Sequence, residues 1–175
     1  MMLVLRRLRP IDEHAFLAAL TLTAPTDPNF AHYHHPGLAF LDYLAILERA
    51  ERGVGLPEGH VPSTLLFGFV GDAIVGRLML RHTLNDFLLR VGGHIGYVVV
   101  PEHRGRGWAG AMLKEGLVLA RSLGLPKVLL TCDEDNLASR RTIERCGGAY
   151  EDSCVVPGRP PKRRYWIRLS SAAND

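Results

Sequence analysis

The stretch from His94 to Ala109, HIGYVVVPEHRGRGWA, constrains the fold most, because it joins a strand, a glycine-rich arginine loop and a helix start. Ile95 to Val100 is a β-branched and aromatic run bounded by Gly92-Gly93 and Pro101, which predicts a buried strand. Arg104-Gly105-Arg106-Gly107 then puts two residues free to take positive φ in one loop, so several backbone N–H groups can converge on a point with no Cβ in the way. From Trp108 the period changes: Met112, Leu113, Leu117, Ala120 and Leu123 share one face of a helix that continues to Gly124. The free N–H groups of that helix's first turn carry partial positive charge, and Arg104 and Arg106 add full charges beside them. Strand, glycine loop and helix N-terminus together predict a pyrophosphate cradle. A bare Arg-Gly-x-Gly is equally a plain turn with two solvated arginines; the flanking strand and helix favour the anion site. Neither common nucleotide motif fits, since no Gly-Lys-Ser/Thr follows the loop and the third glycine of the dinucleotide fingerprint is missing.

Upstream, Leu3 to Leu8 predicts a first strand stopped by Pro10, and Ile11 to Leu20 a helix with Asp12 and Glu13 in its first turn, where negative charge is favoured. Thr21 to Leu38, rich in Pro, Asn and His, predicts a loop. Its His32, Tyr33, His34 and His35 invite a metal or base reading, but adjacent loop histidines do not converge as ligands must, and a polar loop over a pocket is favoured. Phe40, Leu41, Leu44, Ile46 and Leu47 predict a second helix ending near Gly53, with a loop to Pro62. Ser63 to Val70, Gly71-Asp72 and Ala73 to Arg81 read as a β-hairpin, and Thr83 to Arg90 as the connection to the central strand.

Downstream, Gly124 and Pro126 precede a short strand, Lys127 to Thr131, so strand, helix and strand imply a right-handed parallel crossover. Asn136 stands where an N-cap belongs, ahead of a helix carrying Ala138, Ser139, Ile143 and Cys146 and ended by Gly147-Gly148. Two more strands, Ala149 to Val156 and Arg164 to Leu169, flank a Pro/Arg loop from Pro157 to Arg163.

With 175 residues, 47% of them hydrophobic, the chain has material for one full core, and a single domain over 1–175 is expected. Its net charge of +3 is dispersed, which argues against a nucleic-acid surface, and no recognition helix with exposed basic residues is visible. Cys132, Cys146 and Cys154 lack metal-ligand spacing and fit reduced thiols in the cytoplasm; no metal is expected. The N-terminal MMLVLRRLRP reads as no signal peptide, and no run approaches the roughly 18 apolar residues of a membrane span.

Arg104-Gly105-Arg106-Gly107-Trp108-Ala109 resembles the Arg/Gln-x-x-Gly-x-Gly/Ala signature of the GNAT superfamily, the acyl-CoA-dependent N-acetyltransferases. Asn136-x-x-Ser139 with Gly147 beyond it resembles that family's Asn-x-x-Ala/Ser…Gly segment. The resemblance covers nearly the whole chain in topology and identifies no substrate. It implies an α+β fold, a central twisted mixed sheet of about six to seven strands flanked by about four helices. It also implies acetyl-CoA as acyl donor, with its pyrophosphate on Arg104, Gly105, Arg106, Gly107, Trp108 and Ala109. The pantetheine arm would lie in a slot between diverging parallel strands, held by Val98, Val99, Val100 and Asn136, with Ser139 beside it. The histidine loop and the first two helices would form the acceptor wall.

The implied reaction is direct attack of a primary amine on the thioester, with the amine on a small molecule, since no acidic groove for a basic peptide is visible. Acyl length is set by a pocket the sequence does not show, and homodimers are common in the family. Alkyl amines have pKa values near that of lysine, about 10.4, so a proton must be removed. His94 is the first candidate base, because family members carry glutamates near this position and imidazole titrates near neutrality; a strand-edge histidine without a role is its alternative. His82, Asp86 and Glu134 are weaker candidates. The oxyanion is expected on a backbone N–H of the central strand, that of Val100 or a neighbour. One departure stands out: the tyrosine that many members place seven residues after the asparagine is Ile143 here, which leaves Tyr97 and Tyr165 as candidate donors to the thiolate. That loss also admits a non-catalytic CoA-binding sensor, and the loop alone admits another nucleotide-binding module.

Overall fold

The computed structural model describes residues 2–155, 157–158 and 160–169. They form one seven-stranded sheet and four α-helices. The chain runs β1 (Val4–Arg6), α1 (Glu13–Thr23), α2 (Phe40–Arg52), β2 (Ser63–Val70), β3 (Ala73–Arg81), β4 (Ile95–Val99), α3 (Trp108–Ser122), β5 (Lys127–Asp133), α4 (Leu137–Arg145), β6 (Ala149–Cys154) and β7 (Lys162–Arg168). The strand order is β1-β2-β3-β4-β5-β7-β6, with β4 and β5 parallel and every other neighbouring pair antiparallel. The sheet is thus mixed, and the β4-α3-β5 crossover read from the sequence is present.

Alternation along the strands gives the sheet two apolar faces. One packs Phe67 and Met79 under α1 and α2, where Phe16, Phe40 and Tyr43 join their rings. The other packs Leu78, Leu80, Ile95 and Leu130 against Met112 and Leu113 of α3 and Ile143 of α4. Successive residues of β4 divide between them, with Val98 beside the first core and Ile95, Tyr97 and Val99 beside the second. This division decides which side chains of β4 meet which layer.

Several boundaries shift from the expected ones. The first strand is shorter than Leu3 to Leu8, and α1 extends past Leu20 to Thr23, whose hydroxyl returns a bond to Ala19 C=O at 2.7 Å. A wide helical turn, Leu88–Gly92, ends the connection before β4, capped by a bond from Gly93 N–H to Leu88 C=O. Strand β5 continues beyond Thr131 to Asp133, and β7 begins at Lys162 rather than Arg164, because Lys162 Nζ pairs with Asp133 across the two strands at 2.5 Å. Val156 and Arg159, within the expected last strand pair and its loop, lie outside the described residues.

Where β4 meets β5 the pairing is brief. Only Ile95 and Leu130 are in register, and beyond them the strands part. Gly93 permits the approach at this point: its φ is +66°, and a Cβ there would stand 2.5 Å from Leu129 C=O. The separation expected only on the strength of the resemblance is therefore a property of this sheet.

Candidate active site

The parting of β4 and β5 leaves backbone groups of β4 without a strand neighbour. Val100 N–H donates to Val75 C=O of β3 at 3.0 Å, and Arg81 N–H to His94 C=O at 2.7 Å. Antiparallel alternation then turns the amide of Val98 toward β3 as well, and those of Tyr97 and Val99 toward the gap. Val99 C=O accepts from Arg104 Nε at 3.2 Å. Val100, expected to bind pantetheine or the oxyanion, is fully buried with its N–H already bonded to Val75, so the β4 amides that face the gap are those of Tyr97 and Val99.

At the C-terminal end of β4 a turn over Pro101–His103 leads into the glycine loop. Gly107 takes φ +81° as the N-cap of α3, and the first bond of the helix runs from Ala111 N–H to Gly107 C=O. The N–H groups of Trp108, Ala109 and Gly110 precede that bond and lack an acceptor within the helix. A Cβ at Gly105, Gly107 or Gly110 would meet nothing within 4 Å, so the loop opens onto free space. Buried Trp108 Nε1–H also lacks a partner.

On the other side of this space stands α4. Asn136 caps it, Oδ1 accepting from Ser139 N–H at 3.0 Å, so the N-cap reading holds and Nδ2 stays available as a donor. Loop, β4 and α4 enclose a cleft of about 700 Å³ lined by Tyr97, Val98, Val99, Arg104, Gly105, Gly107, Trp108, Ala109, Asn136 and Ser139. Of the residues expected at the cofactor, the cleft leaves out Val100 and Arg106. It adds Asp27, His103, Gly110, Ala138, Arg141, Thr142 and Arg145, together with Tyr97, expected only as a donor to the thiolate. The α4 arginines were legible: 138, 141, 142 and 145 recur at helical spacing on the face that starts at Asn136.

Two tyrosines were candidates for the thiolate. Tyr97 reaches the cleft, its Oη 2.8 Å from Ser139 Oγ, and burial pushes its pKa up to about 12. Tyr165 is fully buried, accepting from Arg163 Nε and donating to Glu144, away from the cleft. Ile143 is 1% exposed and turned into the core, so the position seven after the asparagine does not face the cleft in this chain.

His94 is 7% exposed and lines neither this cleft nor the cavity described next. Its Nδ1 accepts Leu129 N–H at 2.9 Å, which leaves Nε2 to carry the ring hydrogen. Burial, with Arg81 nearby, lowers its pKa to about 4. The ring is neutral at pH 7, and its one lone pair is engaged. Of the weaker base candidates, His82 Nε2 is tied to Thr64 Oγ1 at 2.8 Å, which also bonds Glu51, outside both spaces.

A second cavity, of about 370 Å³, lies on the α1/α2 side of the sheet between the histidine loop, the loop after α2 and the end of β3. His32, Tyr33, Glu58, His60, Ser63, Arg81 and Asn85 supply its polar lining. The neighbouring histidines diverge: His34 packs its ring 5.3 Å from those of Phe16 and Tyr43, while His35 is exposed. One loop serves both spaces, with Asp27 on the cleft and His32 on the cavity. Thr26 Oγ1 accepts from Arg104 Nη2 at 3.3 Å, which ties this loop to the glycine loop.

Residues 22–148, which carry the glycine loop, both parallel strands and α4, match the model of the acetyltransferase (GNAT) family. The chain belongs to that family. It is an acyltransferase. Solved GNAT structures share its fold from end to end. The acetyltransferase yncA of Salmonella typhimurium, solved with acetyl-CoA, is 16% identical, with 98% of this chain and 96% of that one covered and a TM-score of 0.62. A GNAT acetyltransferase of Streptococcus pneumoniae is 17% identical over 97% and 100%, with a TM-score of 0.64. Mutant forms of the spermidine/spermine N-acetyltransferase SpeG of Vibrio cholerae are 18% identical over 96% and 95%, with a TM-score of 0.62. At these identities the likeness is one of fold. No curated protein matches the sequence. No helix among the described residues is long and apolar enough to cross a membrane.

Proposed function

We propose that this GNAT enzyme transfers the acetyl group of acetyl-CoA to a primary amine of a small molecule by direct attack, in the cytoplasm. The observation that carries the reading is the junction of an open glycine loop, a helix N-terminus and Arg104, Arg141 and Arg145 at one end of the gap between β4 and β5. The yncA structure was solved with acetyl-CoA, and the residues here fit the same molecule. Unbonded N–H groups of the helix start and the cationic side chains suit its phosphates. Asn136 Nδ2 and the amides of Tyr97 and Val99 suit the amide groups of its pantetheine arm. When bound, acetyl-CoA supplies the thioester carbonyl. A nitrogen–carbon bond then forms, the carbon–sulfur bond breaks, the amine loses one proton, and thiolate departs.

The chain's own task is positioning and charge stabilisation. An inward N–H of β4 serves the developing oxyanion. Tyr97 serves the thiolate by hydrogen bonding rather than by giving up its proton. With a phenol near 12 and a thiol near 8.5, full transfer is uphill by roughly 5 kcal/mol. The proton of the amine passes to water. For His94 to take it at Nδ1, the bond from Leu129 N–H would first have to open, and the geometry instead gives His94 a positioning task.

Thermal stability with acetyl-CoA, CoA, ATP and NAD tests the donor. A ligand at 100 times its Kd stabilises the native state by about 2.7 kcal/mol, and acetyl-CoA and CoA should do so selectively. Gly107→Asp sets a negative charge in the loop without meeting a neighbour but at a φ of +81° that strains any side chain, so the gain should be abolished in a variant whose unliganded melt shows it folded. A response to ATP or NAD with indifference to CoA would overturn the reading. Thiol release with a panel of amines then tests the transfer.

A further inference from the structure

We infer that the acceptor carries a carboxylate as well as its amine, and that Arg81 receives the carboxylate in the cavity under the histidine loop. The inference rests on the acetyl-transfer reading above and deepens it.

Residues 77, 79 and 81 of β3 face the α1/α2 layer, and Arg81 lines the cavity from its floor. Nη1 alone anchors the guanidinium, donating to Gly92 and Gly93 carbonyls at 3.3 and 3.1 Å, which fixes its plane. No carboxylate stands within 4 Å of Arg81 or of Arg77 among the described residues. A half-buried guanidinium without an anionic partner is costly to the free protein and is relieved by a ligand that brings one. Its planar fork suits a carboxylate.

The nearest lasting charges carry the same sign. Burial first, and then the neighbouring His60, Arg77 and Arg81, hold the His32 pKa near 4, so that imidazole is neutral at pH 7 and the cations beside it are Arg77 and Arg81. Glu58 is the one carboxylate lining the cavity, and it sits at the exposed rim. A polycation would be repelled from this floor, whereas an anion is drawn to it. At about 370 Å³ the space is at the small end for ligand sites, the scale of an amino acid rather than of a peptide segment.

The deciding experiment compares matched acceptors on the wild-type protein by CoA thiol release. Each α-amino acid, with β-alanine and 4-aminobutyrate, is set against its amide and against the amine lacking the carboxylate, with spermidine as a polycation. At least one carboxylated acceptor should exceed its amide tenfold or more in kcat/KM, and Arg81→Gln should remove that preference while acetyl-CoA still stabilises the variant. Equal use of amides, preference for spermidine, or a preference unmoved in Arg81→Gln would overturn the inference and leave acetyl transfer intact. Binding of the N-acetylated products and their amides, measured by calorimetry in the presence of CoA, decides the point without turnover. Carboxylate-dependent binding supports the assignment, and its absence across the panel overturns it.

Discussion

His94 and Leu129 exchange two hydrogen bonds one residue before the last pairing of the parallel strands, Ile95 with Leu130. His94 N–H donates to Leu129 C=O at 2.7 Å, and Leu129 N–H donates to His94 Nδ1 at 2.9 Å. The second bond takes the place of a ladder contact, so a side chain fastens β4 to β5 one residue before their last paired position, Ile95 with Leu130. His94→Ala would leave the buried Leu129 N–H without an acceptor, at a cost of about 1–3 kcal/mol. A lowered melting temperature and a weaker response to acetyl-CoA are expected, since the slot opens just beyond this clamp. His94→Asn, whose Oδ1 can stand near the Nδ1 position, should recover most of both. A stable His94→Asn protein that binds acetyl-CoA normally but has lost turnover would instead restore the base role to this residue.

The same ring makes stability depend on pH. In the unfolded chain His94 takes up a proton near pH 6.5, and in the folded protein only near 4. Between those values the unfolded state binds more protons, so stability is full above about pH 6.5 and is lost as pH falls toward 4. The contribution of His94 is on the order of 3 kcal/mol. His32 shifts in the same direction for the same leading cause, burial, but its more exposed ring is better screened. Melting temperatures from pH 7 to 4.5 should fall, with a shallower slope in His94→Asn.

Arg141 and Arg145 lie one helical turn apart on the face of α4 that meets the cleft. Neither forms an ion pair among the described residues, so both charges are available to an anion. Arg145→Ala should raise the KM for acetyl-CoA about fivefold to tenfold, consistent with loss of a charge-assisted hydrogen bond at a partly exposed site. The effect should shrink as salt is raised, while kcat changes little. Steady-state kinetics at two ionic strengths read both quantities.

How much of this was legible in the sequence follows from how local each feature is. The hairpin, the glycine loop and α3 are written in neighbouring residues, and Ser63–Val70, Ala73–Arg81 and the helix start at Trp108 stand where expected. The end of β5 was set by a partner 29 residues away, Lys162 on Asp133, which no local pattern carries. The occupancy of Val100 N–H by Val75 depends on register across two strands, so the backbone donor facing the gap could not be picked from composition. Arg81 was visible only as a strand end; its importance comes from the loops that tertiary packing folds over it. His94 was prominent for its chemistry, and burial together with one backbone N–H redirected that chemistry.

Tyr97 gives the sharpest separation of structure from chemistry. Its ring packs against the α3/α4 core, and its hydroxyl meets Ser139 Oγ at the cleft. Tyr97→Phe keeps the ring and removes that contact, so the cost to stability should be about 1 kcal/mol, the net value of one hydrogen bond. Binding of acetyl-CoA should change less than threefold, because Asn136 and the glycine loop are untouched. If the hydroxyl bonds the departing thiolate, the loss appears in kcat, about tenfold for one hydrogen bond to a charged group. With a phenol pKa of about 12, the wild-type rate should show no tyrosine titration below pH 9. A Tyr97→Phe enzyme with unchanged kcat would confine Tyr97 to packing, and thiolate stabilisation would then fall to water and to the backbone of β4.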